Sequence, residues 1–263
     1  MRLLAWLLLL APLGGCAKAR DPAPQDLDGL LHYVYRHYEG PDALQEAMGN
    51  LGPWLDTTGR TDAASEGYRL TPLTEQDVAD IDRPEGDLVD AKGVAVAAVS
   101  TWPVEPHAEI TLQADQIYND PHSYSVYDRS IYEGDPPSFL EREGTVRTLN
   151  DIDKTKVGVT IPYTLYKDFT WVNLDDTHHA IVARSWIQDG SCGSAGSNCL
   201  NQSFSIDLWY ASDDVDTVRM TATWNDVTSV ADAFLSEDQK VAIAVHGILA
   251  IFENTDQYLD DTR

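Results

Sequence analysis

The hydrophobic positions change period along the chain. Leu27, Leu30, Leu31, Val34, Tyr35 and Tyr38 recur at i, i+3, i+4, i+7, i+8 and i+11, which predicts an amphipathic helix. Gly40-Pro41 breaks it. Asp42 is placed to cap a short second helix through Met48, which Gly49 ends. Leu51 to Gly67 reads as a loop, and Leu73 to Ile81 as a further short helix with Thr74 as its cap. Beyond Lys92 the period shortens. Gly93 to Trp102 is an apolar strand candidate, and Ile110 to Tyr118 fits either strand or helix. Strands are expected over Thr145–Leu149, Val157–Ile161, Phe169–Leu174, Ala180–Ile187, Phe204–Ala211 and Val218–Asn225. In the last two, Phe204, Ile206, Leu208 and Tyr210 share one face, as do Val218, Met220, Ala222 and Trp224. Short Asp-rich connections favour antiparallel pairing. The chain closes on a helix. Ser236 and Gln239 form a capping box, and Val241, Val245, Ile248 and Phe252 make its stripe. The expected class is α+β: an antiparallel sheet gripped by a long C-terminal helix, with a small helical N-terminal region.

The first sixteen residues, MRLLAWLLLLAPLGGC, follow another logic. Arg2 precedes an apolar run from Leu3 to Leu13. A membrane-spanning helix needs about 20 apolar residues, so this run has the size of a secretory signal peptide. Leu13-Gly14-Gly15-Cys16 resembles the lipobox of bacterial lipoproteins. That resemblance implies cleavage before Cys16 and a lipid on its thiol. An ordinary signal peptide with an incidental cysteine is the alternative. Ala17 in place of an Asp implies sorting to the outer membrane, facing the periplasm. The expected organisation is a signal peptide over 1–15, a lipidated tether over 16–25, a helical and loop region over 26–92, and an α+β domain over 93–263.

Charge narrows the partners. Asp and Glu number 43 against 18 Lys and Arg, a formal net charge of −25. Such a field repels phosphate backbones, so no nucleic-acid partner is expected. It also repels anionic head groups, which leaves the lipid on Cys16 as the only expected hold on a membrane. The chain is still 43% hydrophobic, with 7 Trp, 12 Tyr and 5 Phe, enough apolar material for a core.

Beyond Cys16 only Cys192 and Cys199 remain. An even pair in an exported chain implies a disulfide, with a metal site or a redox pair as alternatives. A loop of this length is worth roughly 2.5 kcal/mol on the chain-entropy account.

Catalytic signatures are scarce. The chain contains no G-x-S-x-G, H-E-x-x-H, G-x-x-x-x-G-K-[ST] or G-x-G-x-x-G. His178-His179 fall in an expected hairpin turn, and His246 on a helix flank. Asp213-Asp214-x-Asp216 and Asp26-x-Asp28 hint at Ca²⁺, but neither continues as an EF-hand loop. No catalytic residue, metal ligand or cofactor is assigned.

Ile161-Pro162-Tyr163-Thr164-Leu165-Tyr166-Lys167-Asp168-Phe169, followed by Thr170-Trp171-Val172 and then Ile181-Val182-Ala183-Arg184-Ser185-Trp186, resembles the START-type lipid-binding domain of the helix-grip (SRPBCC) superfamily. Lys167-Asp168-Phe169 stands where that family commonly has Arg-Asp-Phe, and Arg184 lies in the returning strand. Tyr124 to Arg129 aligns with the family's early aromatic stretch. The resemblance spans about Gly93 to Asp260. Gly190–Asn201 is an insertion, and Leu27–Ile81 has no counterpart. The family implies a cavity between sheet and helix that takes a lipid or other hydrophobic small molecule. Trp171, Trp186, Phe204, Trp224, Val245 and Ile248 are the expected lining, with packing in the core as the alternative for each aromatic. The expected function is a non-catalytic binding module. The alternatives are a helix-grip enzyme of cyclase or hydrolase type, using His178, His179 or Asp168, and an envelope interaction protein.

Overall fold

The computed structural model describes residues 20–263 apart from 157–158, 195, 197, 212–215 and 231–233. The expected signal peptide, 1–15, and Cys16 lie outside the described residues. Helices α1 (Leu27–Arg36), α2 (Pro41–Thr57) and α3 (Asp62–Glu66) come first, then β1 (Tyr68–Leu70) and β2 (Lys92–Ser100). Helix α4 (Val104–Thr111) and a 3-10 turn at Ile117–Asn119 lead to β3 (Tyr124–Glu133) and α5 (Pro136–Leu140). Strands β4 (Thr145–Lys156), β5 (Val159–Asn173), β6 (His179–Ile187), β7 (Ser191–Cys192), β8 (Cys199–Ala211) and β9 (Thr217–Thr228) follow, and α6 (Glu237–Thr262) closes the chain. Among the described residues nine strands form one antiparallel sheet in the order β1-β2-β9-β8-β6-β5-β4-β3, with β7 paired to β8. The expected α+β class, with a long C-terminal helix, is what folds.

Local chemistry sets many of the boundaries. Asp26 caps α1 by accepting from the Gly29 amide at 2.8 Å. Both bonds of the Ser236–Gln239 capping box form at the start of α6. The Cys192–Cys199 disulfide staples the β7–β8 hairpin.

Tertiary packing overrides local signals elsewhere. Helix α2 does not stop at Gly49 but runs to Thr57. A helical Gly costs about 1 kcal/mol, whereas Leu51 and Leu55, both fully buried, each return about 1.5–3 kcal/mol. Gly52 lets the helix approach the sheet, since a Cβ there would sit 3.1 Å from the Tyr210 hydroxyl. The expected strands Val157–Ile161 and Phe169–Leu174 fall, between Val159 and Asn173, on one fifteen-residue strand, β5, which β4 pairs from Val159 to Thr170 and β6 from Leu165 onward. Leu73–Ile81 is a series of turns and not a helix. Asp77 takes two bonds from Thr74 and pairs with His32 at 2.9 Å and Arg36 at 2.7 Å, tying the segment to α1. Burial pushes the Asp77 carboxyl up, but these bonds outweigh it and hold it below the usual range.

The N-terminal region is not an appendage. Leu30, Leu31, Val34 and Tyr35 of α1 and Leu44, Met48 and Leu51 of α2 share one core with Phe204, Ile206, Leu208, Met220 and Trp224 of the sheet. We call this side of the sheet the back, and the side holding α6 the front. The expected tether is also corrected in part. Arg20 pairs with Glu46 at 2.7 Å, and the Ala23 amide donates to Glu46 at 2.9 Å, so the stretch from Arg20 is held on α2. Leu31→Ala is expected to lower the stability of the whole chain by about 2–5 kcal/mol. In urea unfolding followed by circular dichroism, helix and sheet signals should shift together. A sheet transition left in place would show that α1 folds apart from it.

Candidate functional site

On β8 and β9, strand alternation divides the sheet into a packed face and a more open one. On β8 and β9, Phe204, Ile206, Leu208, Tyr210, Met220, Ala222 and Trp224 point to the back, and all are buried. Their neighbours Ser203, Ser205, Trp209, Thr221 and Thr223 point to the front and are only half-buried. Tyr163, Leu165 and Lys167 of β5 are half-buried on the same side. The reason lies in α6. Its Val245, Ile248 and Phe252 pack on Val94 and Val96 of β2, near one edge of the sheet. Helices α4 and α5 cover the far end over Phe169, Trp171 and Ile181. Between them lies a tract of mixed apolar and polar side chains that nothing fully covers.

An ion pair sits in this tract. Lys167 Nζ donates to Asp207 Oδ2 at 2.7 Å. Ser205 donates to the same oxygen at 3.0 Å, and Thr221 donates to Oδ1 at 2.5 Å. The Ser185 and Ser205 hydroxyls are 2.7 Å apart. The ammonium lies 5.5 Å from the Phe169 ring centre and 5.9 Å from that of Trp209, within cation–π range. This is a fixed polar anchor beside an apolar strip.

A second polar cluster lies under the C-terminal half of α6. Arg219 donates to the Phe252 carbonyl at 3.0 Å, reaches Asp256 at 3.4 Å and stacks over the Phe252 ring at 4.4 Å. Burial lowers its pKa to about 10 and raises that of Asp256. Ser100 donates to Asp256 Oδ1 at 2.9 Å, and His107 Nε2 lies 3.1 Å from the Ser100 hydroxyl. These three residue types invite comparison with a catalytic triad, but the order is wrong. The carboxylate holds the serine proton directly, and His107 Nδ1 has no partner among the described residues. Burial also drives the His107 pKa well below its ordinary value. The cluster is built to anchor α6, not to activate a nucleophile.

The expected lining divides differently from the reading above. Trp186, Phe204 and Trp224 are on the back, not in a cavity under α6. Trp224 Nε1 donates to the Thr71 carbonyl at 2.8 Å, Phe204 meets the Tyr35 ring edge at 6.1 Å, and Trp186 stacks on Tyr166 at 5.5 Å. The cause is the apolar stripe of α1 and α2, which claims that side of the sheet. Trp171 is on the front, but it donates to the Phe139 carbonyl at 2.6 Å and packs beneath α5. Val245 and Ile248 are the contact that holds α6 to β2.

The family-motif residues split by alternation as well. Lys167 and Phe169 face the front, while Asp168 and Arg184 face the back. Arg147 donates to Asp168 Oδ2 at 3.0 Å and to Glu39 at 2.7 Å, and Arg184 pairs with Glu39 at 3.1 Å and Asp80 at 2.8 Å. This network bolts the end of α1 to the sheet. His178 closes a turn against Asp175 at 2.9 Å, and His179 is buried beside Glu105 at 3.3 Å. Asp26 caps α1, Asp28 accepts from Thr71, and Asp216 pairs with Arg60, so each has a structural partner. Asp213 and Asp214 lie outside the described residues. Ser185, Ser205, Asp207 and Thr221 are the residues that sequence reading missed. Their signal was present as the polar alternates of the strands whose apolar alternates had been noted.

No protein-family model and no curated protein matches the chain. Solved structures do, at low identity. The Zhui aromatase/cyclase of Streptomyces sp. R1128 is 12% identical with a TM-score of 0.41, over 64% of this chain and 93% of that one. The STAR-related lipid transfer protein of Xanthomonas axonopodis is 8% identical with a TM-score of 0.42, over 65% and 87%. The truncated norcoclaurine synthase of Thalictrum flavum is 10% identical with a TM-score of 0.36, over 66% and 96%. In its own sheet order and closing helix, the chain is a helix-grip α+β protein.

Asp168 makes the back-face network sensitive to pH. Burial pushes its pKa up to about 6, against the attraction of Arg147 and Arg184 and with repulsion from Glu39 and Glu133. Its unfolded value is about 3.9. The folded state therefore binds this proton more readily, and the group's contribution to stability falls as pH rises from about 4 through 6. Asp168→Asn removes that loss. In urea unfolding, the stability of the variant relative to the parent should rise between pH 5 and pH 7. A difference independent of pH would overturn this assignment.

Proposed function

We propose that this protein binds a hydrophobic small molecule or lipid on the front of its sheet, between α6 and the β3–β5 side, without transforming it. One observation carries the reading: α1 and α2 pack over the back of β8 and β9, while the front leaves Tyr163, Leu165, Lys167, Trp209 and Thr223 half-exposed. Apolar surface with a few fixed polar groups is the usual make-up of a small-molecule site. Leu165 and Trp209 supply apolar surface, and the Lys167–Asp207 pair supplies orientation. The polar groups here satisfy one another, which favours holding over catalysis. Displacement of the neutral fluorophore N-phenyl-1-naphthylamine tests the site. The full chain should bind it, and Leu165→Trp should weaken binding about tenfold with unfolding unchanged. No binding, together with protein purified from its host free of any apolar adduct in native mass spectrometry, would overturn the reading.

We further propose that the domain is held at the bacterial envelope, at the periplasmic side of the outer membrane, by lipid on Cys16. The apolar run from Leu3 to Leu13 and the Leu13-Gly14-Gly15-Cys16 sequence support this. A chain of −25 net charge has no electrostatic route to anionic lipid. Radiolabelled palmitate is expected in the parent protein and not in Cys16→Ser, which should move to the soluble fraction. Unchanged membrane retention of Cys16→Ser would exclude the anchor.

A further inference from the structure

Acidic residues outnumber basic ones by more than two to one in this chain, so a cation without a carboxylate is unexpected. Among the described residues every arginine but one lies within ion-pair distance of an Asp or Glu. The exception is Arg129 of β3, and it is buried, at 8% exposure. Its Nε donates to Asn150 at 2.7 Å, one terminal nitrogen donates to the Thr111 carbonyl, and the other is 3.5 Å from the Tyr127 hydroxyl. All three partners are neutral. The guanidinium lies 5.0 Å from the Phe169 ring centre and 5.8 Å from that of Tyr127. These contacts satisfy geometry but leave the charge unbalanced, and buried charge is ordinarily paired.

Arg129 belongs to the front face. It pairs with Asn150, two residue pairs along from Tyr127 and Ile152 of the front cluster and so on the same face, and it shares the Phe169 ring with Lys167. Of the neighbouring front-face cations, Lys167 is matched by Asp207 and Arg219 by Asp256, while the half-buried Lys154 lies over the Tyr124 ring at 5.0 Å. One buried positive charge is therefore left beside the half-exposed tract. Its missing counter-charge is a monoanion, and a guanidinium with one weakly engaged nitrogen is suited to a carboxylate.

Resting on the binding reading above, we propose that Arg129 sets the ligand class: an amphiphile with a carboxylate head, directed to Arg129, and an apolar tail lying over Leu165 and the α6 side of the tract. The acidic exterior gives no affinity for such an anion, so selection rests on this one interior charge.

Competition against N-phenyl-1-naphthylamine on the full chain tests this, with hexadecanoate, hexadecanol and hexadecyltrimethylammonium each below its micelle-forming concentration. Hexadecanoate should displace the probe at a concentration at least tenfold lower than hexadecanol, and the cation should be weakest. Arg129→Gln should abolish the preference while leaving hexadecanol unchanged, and Arg129→Lys should keep part of it. Equal potency of hexadecanoate and hexadecanol on the parent protein, which needs no variant to fold, overturns the charge inference and leaves hydrophobic binding standing. Displacement by none of the three, with no probe bound, overturns both. A preference that survives in folded Arg129→Gln overturns the assignment to Arg129.

Discussion

The constraint on which the rest depends is the burial of one apolar stripe. Phe204, Ile206, Leu208, Tyr210, Met220, Ala222 and Trp224 form a continuous hydrophobic surface on β8 and β9. They must leave water, and α1 and α2 are what cover them. Each large side chain so buried returns about 1.5–3 kcal/mol, so this cluster dominates the stability of the chain. Once that face is spent on packing, the proposed binding site falls to the other. Helix α6 then has a lighter task. It needs only Val245, Ile248 and Phe252 on Val94 and Val96 to hold, and it leaves the middle of the front face accessible.

Electrostatics follows the same division. The back carries a dense ion network, Glu39, Arg147, Asp168, Arg184 and Asp80, in which every cation has an acid. The front carries fewer charges in a less polar setting, where each one has more effect. A very acidic chain that leaves Arg129 without an acid partner concentrates positive potential in one interior spot. The strong negative charge of the exterior and the positive character of the front face are separate properties. Reading net charge alone would have missed the second.

The two-residue period of β8 and β9 was legible, because it depends only on where consecutive side chains point. So was the capping box of α6, which is closed by residues three apart, and the Cys192–Cys199 pairing, the one pairing open to the two cysteines beyond Cys16. The extent of α2 was not, because Gly49 is a stop signal locally and the burial of Leu51 and Leu55 that overrides it comes from strands 150 residues away in the chain. Thr74 carries a capping signature, but the Asp77 carboxylate that it bonds also pairs with His32 and Arg36 of α1, which holds the segment as turns. The aromatic residues drew attention for their size, and size marks cores more often than sites. The polar alternates Ser205, Asp207 and Thr221 were the quieter and more useful signal.

By itself the sequence determined that there would be an antiparallel sheet, that its strands would have an apolar and a polar side, and that amphipathic helices would flank it. These are consequences of backbone geometry and local periodicity. Which helix would take which side was decided only by the tertiary structure. The stripes of α1 and α6 are chemically interchangeable, and nothing within either helix names the face it will meet. Chain connectivity and shape complementarity settled that choice. They placed Trp186, Phe204 and Trp224 in the core, and they brought Arg129 of β3 and Lys167 of β5 to the same ring of Phe169.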